Sequence, residues 1–481
     1  MKRKVVLFLI FILIVVFSSL VDSPIIDANS IAQVQSMELP KMHFTGDISN
    51  LYTKKDEANI SVKYESQNFT LDAYAKIKLQ GSSSLSYDKK NYNIKFYEDE
   101  GFNNKLKVDF GWGFANKYCL KANWIDKTHA RNVVTANLVA DMQKKYNLFT
   151  DTPNYGAIDG YPIEVYLNNE FLGLYTLNIP KDDWMFNMNE DNKDNLVFAA
   201  EGWTKATQFR AQGTFSDWEV EVGEENDYSL AKLNRLLEFV ASSTDEEFKQ
   251  NINNYFNLDS LLNYYVMMQF ANLVDNAGKN ALLVTYDGNI WYTSLYDLDT
   301  SWGTNWNGTF TLDYNSIVNA ENNLLWLKLV SCYPNEIANR YFQLRKDIFT
   351  KEYVMDKFNA FVNSIPDSVY QNEIVRWGKI PGCDIDQIED YLNVRIPILD
   401  NYFGNMYTEK SAVSVVYSKN DSGTVTAKLV SKNSNIKCIG TCSYEFYKDG
   451  EYTFYFDDYL GNINSITAKV IGINYENQFL N

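Results

Sequence analysis

Asp275 and Asn280 stand in D-x-x-x-x-N spacing, and Asp297 and Asp299 follow in "YDLDTSWG". Between them the runs "ALLVTY" and "NIWYTSLY" flank Asp287-Gly288, a pair favoured in two-residue type I′ hairpin turns. A hairpin returns the chain to its starting point, so acidic groups at its two ends fall side by side. Carboxylate and amide oxygens gathered in this way are hard ligands for Mg²⁺. Phosphoryl transfer needs such a set, with one carboxylate beside the attacking hydroxyl and others holding a metal against phosphates. On this reading Asp275 is the base, Asn280 and Asp297 are metal ligands, and Asp299 competes with Asp297. Acidic pairs also serve glycosidases as acid and base, and Asp or Asn at strand ends commonly makes turns.

The surrounding elements must deliver these groups. "NLDSLLNYYVMMQFANLV" is apolar nearly all round, which predicts a buried helix capped by Asp259 or Ser260. Helix, Asp…Asn loop, hairpin and Asp is the order of a protein-kinase catalytic core. Upstream, "QGSSSLSYDKKNYNIKF" offers a small loop, Gly81, Ser82, Ser83 and Ser84, and lysines Lys89, Lys90 or Lys95 that can reach phosphate. Ser-rich loops and surface lysines are also common without function.

The flanking strands alternate. Tyr74, Lys76 and Lys78 share one face, Ala75, Ile77 and Leu79 the other; Tyr92, Ile94 and Phe96 oppose Asn93 and Lys95. "DKTHARNVVTANLVADMQKKY" reads as a helix capped by Asp126 or Thr128, and "YPIEVYLNNEFLGLYTLN" as a hairpin turning at Asn168-Asn169. The first half is thus mainly sheet with one packed helix. The second is mainly helical, from Tyr228–Val240 onward and again from Asn322 to Phe403, with one helix interrupted at Pro397. From about Ser411 short alternating strands predict a small β-sandwich of the immunoglobulin-like kind.

Composition narrows the function. A net charge of −17 disfavours nucleic-acid binding and suits recruitment of divalent cations or basic partners. His43 and His129 are the only histidines, too few for a His-rich zinc site, and both read as structural. Five scattered cysteines argue against a disulfide framework, although Cys438 and Cys442 are close enough to bridge. Lys2, Arg3 and Lys4 precede an apolar run from Val5 to Phe17, the layout of a secretory signal or a membrane anchor. Residues 1–30 are read as that segment, 31–40 as a linker, 41–408 as the main domain and 411–481 as the β-sandwich. Export to the outside or the surface of a bacterium follows.

"LQGSSSLSYDKKNYNIKF", "LKANWIDKTHARNVVTANLVADM", "PIEVYLNNEFLGLYTL", "DNAGKN" and "YDLDTSWG", in that order, resemble the spore coat protein H (CotH) kinase family. The resemblance implies an α+β, atypical kinase-like domain with a sheet-rich N-lobe and a helical C-lobe. It implies transfer of the γ-phosphate of ATP, with Mg²⁺ or Mn²⁺, to Ser or Thr of a protein of the exported, surface or spore-coat kind. Carried over by motif, Asp275 is the catalytic Asp, Asn280 a metal ligand, and Asp297 the counterpart of the kinase DFG Asp. Lys95 is the strand lysine, with Lys90 a second candidate. Gly81 to Ser84, Lys90 and Lys95 form the nucleotide-binding set. Asp126, Arg131 and Asn132 match the family's Asp and Arg-Asn pair and take an ordering role. Gln80 stands where the family has Arg, Asn178 where it has Glu, and Tyr296 where it has Trp. No Glu lies on the Arg131 helix to pair with a strand lysine. The alternative is a non-catalytic surface adhesin or assembly protein on the same fold. Its C-terminal domain would contact a cell surface or carbohydrate through aromatics.

Overall fold

The computed structural model describes residues 38–310, 313–318, 322–406, 413–421, 423–431, 436–457 and 463–473. The proposed signal or anchor and most of the linker lie outside them. Among the described residues no helix is long and apolar enough to cross a membrane. The protein is mixed α+β, with a β-rich N-terminal region, a helical central region and small C-terminal sheets.

The strands are β1 (Lys41–Thr45), β2 (Ala58–Glu65), β3 (Thr70–Gln80), β4 (Asn91–Tyr97), the short ribbon β5 (Val108–Asp109) and β6 (Phe114–Ala115), β7 (Lys117–Lys121), β8 (Gly160–Leu167) and β9 (Glu170–Asn178). All but β5 and β6 close into a barrel in the order β1-β2-β3-β4-β7-β9-β8, with β1 parallel to β8. Strict alternation explains the two faces. Ala75, Ile77, Leu79, Ile94, Phe96, Tyr118 and Leu120 fill the interior. On the outer face Lys76, Lys95 and Lys117 lie in one register row, and Lys78, Asn93 and Cys119 in the next. The hairpin β8–β9 turns at Asn168 and Asn169 with φ of 51° and 70°, as type I′ geometry requires.

Helix α1 (Arg131–Lys145) is buried along most of its length. Its N-cap is Ala130, without a side-chain cap bond. Asp126 and Thr128 act from just outside: Arg131 N donates to Asp126 Oδ2, and Ala130 N to Thr128 Oγ1. A second sheet has the order β11-β10-β12-β13, built from β10 (Leu196–Ala200), β11 (Trp218–Val222), β12 (Ala281–Thr285) and β13 (Trp291–Leu295).

The remaining helices are α2 (Asp227–Ser242), α3 (Asp245–Asn251), α4 (Leu258–Phe270), α5 (Leu324–Cys332), α6 (Pro334–Leu344), α7 (Lys351–Asn363), α8 (Asp367–Trp377) and α9 (Ile385–Gly404). Three local expectations change. The cap of α4 is Asn257, which accepts from Ser260 N, because the helix begins one residue before Asp259. The β12–β13 connection spans Tyr286 to Ile290 rather than two residues, because Asp287 Oδ1 accepts from both Asn289 N and Ile290 N and rounds the loop itself. Helix α9 runs on through Pro397. Proline removes one backbone bond, and burial of Tyr391, Leu392, Leu399 and Phe403 on both sides of it holds the helix together.

At the C-terminus β14 (Val413–Lys419), β15 (Val425–Ser431) and β17 (Ser443–Phe446) form one antiparallel sheet, and β16 (Lys437–Ile439), β18 (Gly450–Asp457) and β19 (Ile463–Val470) another. Ala427, Leu429, Phe446, Phe454 and Ala468 make their common core. Cys438 and Cys442 are bridged, whereas Cys119, Cys332 and Cys383 are free thiols. A loop this short gains little from its bridge.

Candidate active site

Helix α4 delivers the chain to a single turn at Asp275–Ala277. Asn276 is fully buried there. Its Nδ2 donates to Asn280 O at 3.2 Å and Tyr296 O at 2.9 Å, stitching the two ends of the β12–β13 hairpin together. Asn280 N donates to Ala200 O at 2.9 Å, fixing the loop to β10. Beyond the hairpin, Leu298 N donates to Asn132 Oδ1 at 3.0 Å, so α1 holds the segment that carries Asp297 and Asp299. Asn280 and Asp297 have left-handed backbones, with φ of 53° and 57°. Such geometry costs about 1–3 kcal/mol at a non-glycine residue and collects where side chains must be aimed.

These residues face a cleft of about 790 Å³, whose opposite wall is the outer face of β3, β4 and β7. Gly81, Ser82, Ser83, Ser84, Lys95, Asp275, Asn280, Asp297 and Asp299 all line it. Gly81 has φ of 107°, a backbone conformation that L side chains rarely adopt, so a substitution there strains this loop.

The charges are unevenly set. Burial and the neighbouring Asp297 raise the pKa of Asp275, while Lys279 opposes the shift. Burial also works against ionisation of Asp297, but Lys121, Lys181 and Lys279 outweigh it and hold the carboxyl below its usual range. Asp299 goes the other way: burial, then Asp297 and Asp275, push it up to about 7 against the pull of Lys121. Lys121 is 6% exposed, yet Asp297 and Tyr296 overcome its burial and keep it protonated.

The lysines are not arranged as the sequence suggests. The ammonium that meets Asp297 is that of Lys121, 3.3 Å from Oδ1. Alternation along "KYCLK" could have revealed it, since it places Lys117, Cys119 and Lys121 on one face. Lys95 lies in the same register row as Lys76 and Lys117, where burial and then Lys105 and Lys117 lower its pKa. Lys90 is absent from the cleft lining: its Nζ donates to Leu85 O at 2.8 Å and to Tyr87 O, so it braces the loop from below. Lys89 is buried and paired with Glu373 of α8 at 2.5 Å. A buried Lys–Glu pair therefore exists, but a C-terminal helix supplies the Glu. Lys181, also unforeseen, sits 2.6 Å from Glu221, 3.5 Å from Glu219 and 3.6 Å from Glu201.

Asp126, Arg131 and Asn132 support the site from behind. Arg131 pairs with Asp126 in full burial and donates to Cys383 O and Gln387 Oε1, joining α1 to α9. His129 is buried nearby, and His43 lies 3.4 Å from Glu65 on the barrel.

Asn280, Asp297 and Asp299 line the cleft opposite the barrel lysines, and their amide and carboxylate oxygens are of the hard type that divalent cations take. A comparison with curated proteins finds no match. Among protein families, residues 77–399 match the one described as "CotH kinase protein". The match spans both walls of the cleft and most of the chain, and the protein belongs to the CotH kinase family.

Proposed function

We propose that this chain is an ATP-dependent protein serine/threonine kinase acting on exported, surface or spore-coat proteins. One observation carries the reading: Asp275, Asn280, Asp297 and Asp299 meet the Gly81–Ser84 loop and the barrel lysines in one cleft. A bound Mg²⁺ or Mn²⁺ would neutralise charge developing on the transferred phosphoryl group. Asn280 and Asp297 would hold it, with Asp299 as a further ligand.

The chain's own groups do the rest. Asp275 orients the acceptor hydroxyl and takes its proton, a task that its raised pKa favours. Lys121 keeps Asp297 ionised and offers a cation to phosphate oxygens. The Gly81–Ser84 backbone closes over the phosphates. Incubating the protein with γ-labelled ATP, Mg²⁺ and a Ser-rich acceptor tests the assignment. Label should appear with the wild type and not with Asp275→Ala, and equal labelling by both would overturn it.

The apolar N-terminal segment supports export. The C-terminal sandwich, which we read as immunoglobulin-like, exposes Tyr447 and Tyr455 at 57% and 52%. Such rings suit contact with a surface partner or carbohydrate. Retention of Tyr447→Ala/Tyr455→Ala protein on cell-wall material at the wild-type level would remove that second role.

A further inference from the structure

Tyr296 is one of the points at which the two walls of the cleft touch. Its backbone O accepts from Asn276, and the next residue is Asp297. Its ring is buried, with the Lys121 and Lys181 ammoniums 5.3 Å and 5.2 Å from the centroid. Its hydroxyl bonds the Gln80 side-chain amide at 3.0 Å, across 216 residues of sequence. Gln80 is the last residue of β3, directly before Gly81 and the serine loop.

The second atom of that amide, Oε1, is buried without a partner on a side chain that lines the cleft. A buried acceptor left unpaired is costly, and it points to a group that completes it. The nitrogen and oxygen of an amide are alike in outline, so what each must face decides the orientation. Turned over, the amide accepts from Tyr296 Oη through Oε1, and its NH₂ takes the unpartnered position. Phosphate oxygens only accept, so this is the orientation an anionic ligand requires.

We infer that Gln80 donates to a phosphate oxygen of the bound nucleotide and that Tyr296 is the positioning residue that aims it. The inference rests on the kinase reading above and adds a residue pair to it. Tyr296 ties the Gly81–Ser84 loop, through Gln80, to the segment bearing Asp297.

Calorimetry on the full chain tests this with two probes, Mg-ATP and adenosine. Gln80→Glu keeps the acceptor for Tyr296 but sets a carboxylate against phosphate. It should weaken Mg-ATP by about tenfold or more, the scale of a lost hydrogen bond to a charged group, and leave adenosine unchanged. Tyr296→Phe should weaken Mg-ATP in the same selective way. Added to Gln80→Leu it should cost nothing further, because the two act as one unit. Thermal melts of all variants guard against misfolding, and Gln80→Leu stands in for Gln80→Glu if that protein melts early. Wild-type Mg-ATP affinity in the Gln80 variants, or equal weakening of both probes, overturns the inference alone. Failure of the wild type to bind Mg-ATP overturns the kinase reading and this inference together.

Discussion

Lys121 Nζ lies 3.3 Å from Asp297 Oδ1, joining β7 of the barrel to the residue that follows the β12–β13 hairpin. The pair spans 176 residues of sequence and is the direct electrostatic link between the cleft's two walls at that end. Lys121→Met should therefore lower kcat/KM for Mg-ATP by about 10–100-fold, the scale of a lost charge-assisted contact. Lys95→Met, whose ammonium faces other lysines, should cost less. Steady-state kinetics on both variants checks the ranking, and the reverse order would return the strand-lysine role to Lys95.

Asp275 and Asp297 should fail differently. Asp275→Asn should suppress phosphate transfer while ATP affinity changes little, because the group acts on the acceptor hydroxyl. Asp297→Asn should lose Mg²⁺ or Mn²⁺ binding first and transfer as a consequence. Metal and nucleotide titrations beside the labelling assay separate the two. Matching losses of metal affinity in both variants would count against the division of roles.

Lys90 should support the loop rather than the ligand. Lys90→Met removes two charge-assisted bonds to the carbonyls of Leu85 and Tyr87. Stability should fall by about 1–3 kcal/mol and residues 81–87 should become easier to cleave. Denaturant unfolding and limited proteolysis measure this. A selective loss of Mg-ATP affinity with an intact loop would instead place Lys90 on the nucleotide.

Asp126 and Arg131 form a pair in which both side chains are almost wholly buried. Removing one partner leaves an uncompensated charge, so Asp126→Ala should cost about 3–5 kcal/mol of stability. Changing both to apolar residues should cost less than either single change. A double-mutant cycle by denaturant unfolding gives the coupling.

His129 should make the fold sensitive to mild acid. Its ring is fully buried with neither nitrogen partnered, and burial, then Lys89, holds its pKa well below the ordinary value near 6.5. Below pH 6.5 the unfolded chain takes up a proton that the folded ring does not. Stability is therefore lost as pH falls from 6.5, by at most about 1.4 kcal/mol per pH unit. His129→Asn keeps a residue that tolerates the observed φ of 57° and removes the titration. The wild-type-minus-variant stability should fall between pH 6.5 and 5, and a flat difference would refute the assignment.

The sequence by itself determined the local patterns. Period-2 alternation placed Ile77 inside and Lys76 outside, because a strand's side chains alternate whatever it pairs with. The spacing of Asp275, Asn280 and Asp297 around a hairpin was enough to place them on one cleft, because a hairpin's ends are neighbours by construction. The Asn168-Asn169 turn was legible for the same local reason.

What only the tertiary structure decided is everything that depends on pairing between distant segments. Closure of the barrel rests on β1 meeting β8, Lys41 beside Glu164, and no local signal encodes that partnership. The identity of the lysine at Asp297 was likewise not local. Lys89, Lys90, Lys95 and Lys121 are chemically alike, and their tasks differ only through what the fold sets against each: Glu373, loop carbonyls, other lysines and Asp297. The hydrogen bond between Gln80 and Tyr296 belongs to the same class, since two ordinary residues gain a joint task only when barrel and hairpin are packed together.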